Sequence, residues 1–176
     1  MNNKGYIQIY TGNGKGKTTA ALGLALRAAG WGKKSYMAQF MKKFQYGELN
    51  SIAKHLGDFI TIQQFGLPEF HHMGKQVTQE EVSAAMQGIE AVKKAIESHR
   101  YDIIILDEAN ILAYFKIIPL QHLLEIIDNK PEKLELILTG RYAPQELINR
   151  ADLVTEMKEV KHYYSQNIQA RDGIER

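Results

Sequence analysis

Short β-patterned runs alternate with longer stretches of helical period along the whole chain. Tyr6 to Tyr10 alternates and is rich in β-formers, and Lys17 to Ala29 is an Ala/Leu-rich helix that Gly30 and Gly32 can stop. Ser35 to Met41 reads as a second strand, Gly47 to Leu56 as a short helix ended by Gly57, and Asp58 to Phe65 as a third strand. Gly66 to Gln76 has no clear period. A helix is predicted from about Thr78 to His99, opened by a capping box in which the Thr78 and Glu81 side chains each accept the other residue's backbone N–H. Tyr101 to Leu106 is a near-continuous apolar run, the pattern of a strand buried on both faces of a parallel sheet, and it ends at Asp107 and Glu108. Pro119 suits the first position of a helix running to Asp128, and Leu134 to Leu138 forms another buried strand. Pro144 opens a helix to about Arg150, and Leu153 to Met157 reads as the last strand.

Strands alternating with helices predict an α/β fold: a mainly parallel sheet covered by helices on both faces, with right-handed crossovers and ligands at the C-terminal ends of the strands. With 176 residues, no internal repeat and no Pro/Ser linker, residues 1–176 are expected to form a single domain. The longest purely aliphatic run, Ile103 to Leu106, is far below the ~20 residues of a membrane-spanning helix, so no span is expected. Gln8 arrives too early for a secretion signal, and a cytoplasmic protein is expected. The absence of Cys excludes disulfides, thiolate zinc sites and thiol catalysis, so any metal must sit among oxygen or imidazole ligands.

The formal charge of +2 conceals an asymmetry. Residues 1–54 carry nine Lys or Arg against one acid, Glu48, a local balance of +8 that leaves −6 for the remainder. A basic N-terminal third points to an anionic ligand bound there, although a solvated surface suffices for Lys33, Lys34, Lys42 and Lys43. The pI near 8.6 lies below the range of a dedicated nucleic-acid domain, and no nucleic-acid partner is expected.

Thr11-Gly12-Asn13-Gly14-Lys15-Gly16-Lys17-Thr18-Thr19 stands directly after the first strand and directly before the first helix. This is a phosphate-binding loop. Gly12, Gly14 and Gly16 let successive backbone N–H groups converge on phosphate oxygens, and the helix that starts near Lys17 directs its positive end at them. Lys17 can reach the outer phosphates, and the Thr18 hydroxyl can ligate Mg²⁺. The pattern departs from G-x-x-x-x-G-K-[ST] only in having Thr11 for the first Gly.

Such a loop calls for a second acidic group on the metal, and either Asp107 or Glu108 is placed to supply it. Arg141, beyond the buried strand and the turn Thr139-Gly140, emerges at the ligand end of the sheet and could neutralise polyphosphate, or be solvated like most loop arginines. Arg27 lies ten residues into the first helix, where surface packing is the plain alternative. His71-His72 has no third ligand at a suitable spacing and reads as loop.

The chain resembles the P-loop ATP:corrinoid adenosyltransferases, which place the adenosyl group on cobalt in cobalamin synthesis and salvage. The residues that carry the resemblance are Thr-Gly-Asn-Gly-Lys-Gly-Lys-Thr-Thr-Ala-Ala at 11–21, Leu-Asp-Glu at 106–108, Leu-Thr-Gly-Arg at 138–141, Ala-Asp-Leu-Val-Thr-Glu-Met at 151–157 and Val-Lys-His at 160–162, and it covers nearly the whole chain, from Gly5 to Gly173-Ile174-Glu175. The resemblance implies a P-loop NTPase (RecA-like) architecture and a use of ATP other than hydrolysis: Co(I) attacks the ribose C5′ and the whole triphosphate leaves. It implies ATP contacts at Gly12, Asn13, Gly14, Lys15, Gly16, Lys17, Thr18, Thr19 and Arg27. It further implies metal binding at Thr18 and Glu108, with Mg²⁺ or Mn²⁺ as the ion, and catalytic charge neutralisation by Lys17 and Arg141. A homodimer and an electron-donor flavoprotein are implied as partners.

In two respects the chain differs from that family. Members commonly carry a G-F-x-W aromatic pair at the corrinoid site, whereas Gly66 here is followed by Leu67-Pro68-Glu69-Phe70, so the aromatic role passes to Phe65, Phe70 or a residue elsewhere. Some relatives also have a polar N-terminal helical extension over the nucleotide; this chain begins almost at its first strand, which implies a more open or partner-covered site. The competing readings are a P-loop ATPase or nucleotide kinase, which would need a water-positioning residue or an acceptor lid, and a nucleotide-dependent corrinoid carrier without chemistry.

Overall fold

The computed structural model describes residues 4–67 and 76–175. Six strands, β1 (Ile7–Thr11), β2 (Ser35–Phe40), β3 (Ile60–Phe65), β4 (Ile103–Asp107), β5 (Glu135–Thr139) and β6 (Leu153–Glu156), form one sheet in the order β3-β2-β4-β5-β1-β6. Every pairing is parallel. The strand order, with β5 between β1 and β4, is that of a RecA-like P-loop NTPase.

Helices α1 (Lys17–Ala29) and α2 (Gly47–His55) cover one face of the sheet, and α3 (Gln79–Glu97), α4 (Ala109–Tyr114), α5 (Gln121–Asp128) and α6 (Gln145–Ile148) cover the other. The apolar run in β4 shows why the sheet is the middle layer. Ile103 and Ile105 pack with Ala21, Ala25 and Met37 on the α1 side, while Ile104 and Leu106 pack with Ile89, Val92 and Leu123 on the α3 side. All four are essentially buried, each contributing about 1.5–3 kcal/mol of transfer free energy. The edge strand β6 is short and exposed throughout, so its alternation carries little burial.

Local signals act as the sequence suggests. Thr78 Oγ1 accepts from Glu81 N at 3.2 Å and Glu81 Oε2 accepts from Thr78 N at 2.8 Å, so the capping box opens α3. Two elements escape sequence reasoning. α4 has only six residues and starts without a side-chain cap, entered through Glu108 in the left-handed region at φ 62°. A 3₁₀ turn at Tyr163–Gln166 has no apolar period to announce it. Of the helices expected at Pro119 and Pro144, the first begins at Gln121 and the second is shorter than predicted, Gln145–Ile148. Among the described residues no helix is long and apolar enough to cross a membrane.

Helix α3 approaches the sheet closely through Gly88, where an added Cβ would overlap the buried Phe40 ring and lie 2.8 Å from Phe65 Cγ. Gly88→Ala is therefore expected to destabilise the fold by about 1–3 kcal/mol through overpacking, despite the gain in helix propensity. Urea unfolding midpoints check this, and an unchanged or raised midpoint contradicts it.

Candidate functional site

Parallel alignment brings the C-terminal ends of the strands to one edge of the sheet, where backbone amides and the side chains that follow each strand converge. β1 runs into the loop 11–16, and α1 begins at Lys17. Gly12 and Gly16 adopt φ of 94° and 120°, which L side chains rarely do. A Cβ on Gly12 or Gly14 would stand 2.5 or 2.7 Å from the Met157 carbonyl oxygen. That closeness is used: Gly14 N–H donates to Met157 O at 2.7 Å, and Met157 N–H donates to Thr11 O at 2.8 Å, lacing the loop to the end of β6. Lys17 is buried, and its ammonium arches back to donate to Gly12 O and Gly14 O, both at 2.8 Å. Burial lowers the Lys17 pKa; Glu108 opposes the shift and Arg141 adds to it.

The residue that joins the strand ends is Asp107, with no exposed surface. Its Oδ1 accepts from the Thr139 hydroxyl at 2.6 Å and the Thr18 hydroxyl at 2.9 Å, and its Oδ2 accepts from the Lys42 ammonium at 2.6 Å. Lys42 Nζ also donates to Thr18 Oγ1 at 3.1 Å. Burial alone would lower the Lys42 pKa, but Asp107 and Glu108 outweigh it and the net shift is upward. Lys42, which sequence reasoning left as a solvated surface lysine, is thus an internal counter-ion at the site. Its signal in the sequence was position, two residues beyond the end of a buried strand.

Glu108 is the opposite case. Its N–H donates to Thr139 Oγ1 at 3.0 Å, yet its buried Oε2 has no hydrogen-bond partner among the described residues. Burial raises its pKa, Asp107 adds to the shift, and Lys42, Lys17 and Arg141 counter it. Asp107 is already saturated, so of the two adjacent acids Glu108 has the free oxygen to offer a divalent cation, and the Thr18 hydroxyl stands nearby on the same cleft. Hard oxygen donors of this kind suit Mg²⁺ held by one carboxylate and one hydroxyl, with phosphate and water oxygens completing the sphere. Among the described residues no group of three or more His, Asp or Glu forms a protein-only metal cage.

The cleft has a volume of about 580 Å³, within the range of small-molecule sites. Asn13, Gly14, Lys15, Gly16, Lys17, Thr18 and Thr19 line it together with Lys42, Glu108 and Arg141. The exposed Arg141 makes no hydrogen bond or ion pair among the described residues. Lys15 does not point at the centre of the loop: its ammonium is held by Glu175 Oε1 at 2.8 Å, Ile174 O at 3.0 Å and Tyr163 OH at 3.2 Å. Arg27 is not among the residues that line this cleft. Ten residues of helix carry it about 15 Å from Lys17, and it borders a separate groove with Trp31, Lys33 and Asp102.

Phe65 packs on Phe40 with ring centroids 6.1 Å apart and borders a second groove with Lys43, Gln64, Gly66 and Leu67. Phe70, and with it His71 and His72, lies outside the described residues. An aromatic feature that the sequence did not announce is the stack of Tyr114 on Tyr142, the residue after Arg141, with centroids 4.2 Å apart.

A phosphate loop between β1 and α1, facing a buried acid on a strand two places away in an all-parallel sheet, defines a P-loop nucleotide-binding protein. Comparison narrows the class. The family described as ATP:corrinoid adenosyltransferase BtuR/CobO/CobP matches residues 3–176, and the chain belongs to it. Similar proteins include the corrinoid adenosyltransferase of Sinorhizobium sp, 36% identical over 98% of this chain and 80% of that protein. Those of Escherichia coli K12 and Salmonella typhimurium LT2, the latter called CobA, are each 31% identical over 98% of this chain and 86% of theirs.

Because Asp107 is fully buried, removal of its cation leaves an uncompensated charge. Lys42→Met is expected to lower stability by about 3–5 kcal/mol, and adding Asp107→Asn to it should recover a large part of the loss. Equilibrium denaturation of the single and double variants checks the coupling; additive losses would contradict it.

Proposed function

We propose that the chain, acting as one domain over residues 1–176, transfers the 5′-deoxyadenosyl group of ATP to the Co(I) centre of cobalamin or a precursor corrinoid. Cobalt attacks the ribose C5′: the Co–C bond forms, the C5′–O bond breaks, the oxygen leaves with tripolyphosphate, and cobalt is formally oxidised from Co(I) to Co(III). The family match over residues 3–176 carries the reading, and the cleft supports it.

The protein's part in this reaction is to hold the polyphosphate and stabilise the charge that develops on it. Gly12, Asn13, Gly14, Gly16 and Thr19 supply the cradle, Gly14 by its bond to Met157 that fixes the loop, and free backbone N–H groups with the start of α1 favour anions there. Lys17 and Arg141 are the catalytic cations. Lys17 is within reach because its present acceptors, two carbonyls of its own loop, are ones it can exchange for phosphate oxygens. Preorganised donors of this kind cost no rearrangement at the moment of reaction. Thr18 and Glu108 would hold Mg²⁺, or Mn²⁺ in its place, which when bound adds positive charge beside the departing polyphosphate. Phe65 and Phe70 are the proposed corrinoid contacts. A homodimer in the cytoplasm, with an electron-donor flavoprotein that reduces the corrinoid cobalt to Co(I), completes the proposal.

Incubation with ATP, Mg²⁺ and chemically reduced cobalamin without oxygen is expected to give the light-sensitive alkyl-cobalt spectrum and tripolyphosphate in equal amounts. Inorganic phosphate formed independently of corrinoid would point to an ATPase instead, and binding of both ligands without turnover to a carrier. In the same assay Lys17→Ala is expected to lower kcat/KM by about 10²- to 10³-fold, the scale of losing one preorganised donor. Glu108→Gln is expected to raise the Mg²⁺ requirement roughly tenfold or more, a scale reached even by groups that only orient a metal ligand. If Asp107→Asn raises it and Glu108→Gln does not, the choice between the two acids is reversed.

A further inference from the structure

The P-loop contains two lysines, and they are committed differently. Lys17 donates to carbonyls of its own loop, whereas all three N–H bonds of the Lys15 ammonium point to a segment 148 to 160 residues away in the chain. That segment leaves β6, passes under Gly12 and Gly14 through Met157, turns at Tyr163–Gln166 and returns so that Gly173, Ile174 and Glu175 border the nucleotide cleft. Glu175 is its clasp. One carboxylate oxygen accepts from Lys15, from the Tyr163 hydroxyl and from Arg171 Nη2 at 3.2 Å; the other accepts from Arg171 N at 3.0 Å. The Arg171 guanidinium also stands over the Tyr163 ring at 5.0 Å.

Charge and saturation decide what this cluster can do. An ammonium has three N–H bonds, and three acceptors already fill those of Lys15, so a phosphate oxygen could claim it only by breaking the clasp. Two cations surround one carboxylate, so the cluster keeps a positive balance and does not repel a bound polyphosphate. The segment brings the half-exposed Ile174 and His162 to the border of the cleft, an apolar side chain and a flat ring of the kind suited to the face of a purine.

We propose that Lys15 is a positioning residue, not a polyphosphate ligand: with Glu175 it fastens residues 162–175 as the wall of the cleft that receives the nucleoside end of ATP. This rests on the reading of the cleft as an ATP site and not on the corrinoid chemistry. The proposal replaces the phosphate contact expected of Lys15 and assigns the base side of the cleft to a segment that sequence patterning left without a role.

The test measures binding of ATP and of tripolyphosphate, each with Mg²⁺ and without corrinoid, by titration calorimetry on the full chain and on Lys15→Met, Glu175→Gln and the double variant. ATP affinity should fall about tenfold in each single variant, the equivalent of one lost anchoring contact, and no further in the double. Tripolyphosphate affinity should stay within about twofold in all three, since none alters the cradle, and Ile174→Ser should repeat the pattern. Tighter ATP binding by Glu175→Gln would make Glu175 a competitor of the polyphosphate and overturn the proposal. Equal losses for ATP and tripolyphosphate in Lys15→Met would overturn it too, by restoring Lys15 as a phosphate ligand. Failure of the unaltered chain to bind ATP would remove the ATP reading on which both rest, whereas ATP binding without adenosyl transfer would defeat the corrinoid reading alone. Should Lys15→Met fail to fold, Glu175→Gln and Ile174→Ser, whose side chains border solvent, carry the same comparison.

Discussion

A carboxylate with no access to water cannot remain ionised without partners, and Asp107 at the end of the central strand is such a group. Its partners come from three different elements: Thr18 from the first turn of α1, Lys42 from the loop after β2, and Thr139 from the end of β5. Each contact fixes one strand end relative to the others. The phosphate loop is therefore held at both sides, by Asp107 through Thr18 and by Met157 through Gly14. A loop built from three glycines is intrinsically floppy, and these two attachments supply the rigidity that an anion cradle needs.

The same pairing sorts the charges of the cleft. Four fixed cations line it, Lys15, Lys17, Lys42 and Arg141. Lys42 is neutralised by Asp107, and Lys15 is clasped by Glu175. Among the described residues Lys17 and Arg141 remain with no carboxylate in direct contact, and the charge of each acts on Glu108. A bare count of positive charge in the N-terminal third of the chain overstates what is available to a ligand, because part of that charge answers acids contributed by later segments. Folding converts a local excess of +8 into a few aimed donors.

That distinction explains what could be seen in the sequence and what could not. The strand-loop-helix at 6–29 is legible because glycine spacing, strand alternation and helix period are all local, and the capping box at Thr78 is equally so. The buried strands are legible because burial on two faces abolishes alternation, as in Ile103 to Leu106. Lys42 and Lys15 are not, since what separates them from solvated lysines is a partner 65 and 160 residues distant. Arg27 is a case of another kind. Its helix was read correctly, and ten residues at a rise of about 1.5 Å each set it along α1 from the loop, beside a separate groove. Asp107 and Glu108, alike as sequence neighbours, separate only when their surroundings are known: one oxygen pair is saturated and the other is not.

The strand order adds a constraint on the chemistry. With β5 between β1 and β4, the turn Thr139-Gly140-Arg141 emerges between the phosphate loop and the two acids, and Arg141 lines the same cleft as Lys17. Gly140 makes this approach feasible: at φ 130° it passes so close to Asn110 that a Cβ would stand 3.2 Å from that side chain. Cations that reach a polyphosphate stabilise the charge it gains on leaving, at whichever oxygen that charge develops. An enzyme that hydrolyses or transfers a terminal phosphoryl group must instead concentrate charge and a positioned nucleophile at the last phosphorus. Lys17 and Arg141, lining the cleft beside the cradle, fit the proposed adenosyl transfer, in which the whole polyphosphate leaves and carbon is the electrophilic atom.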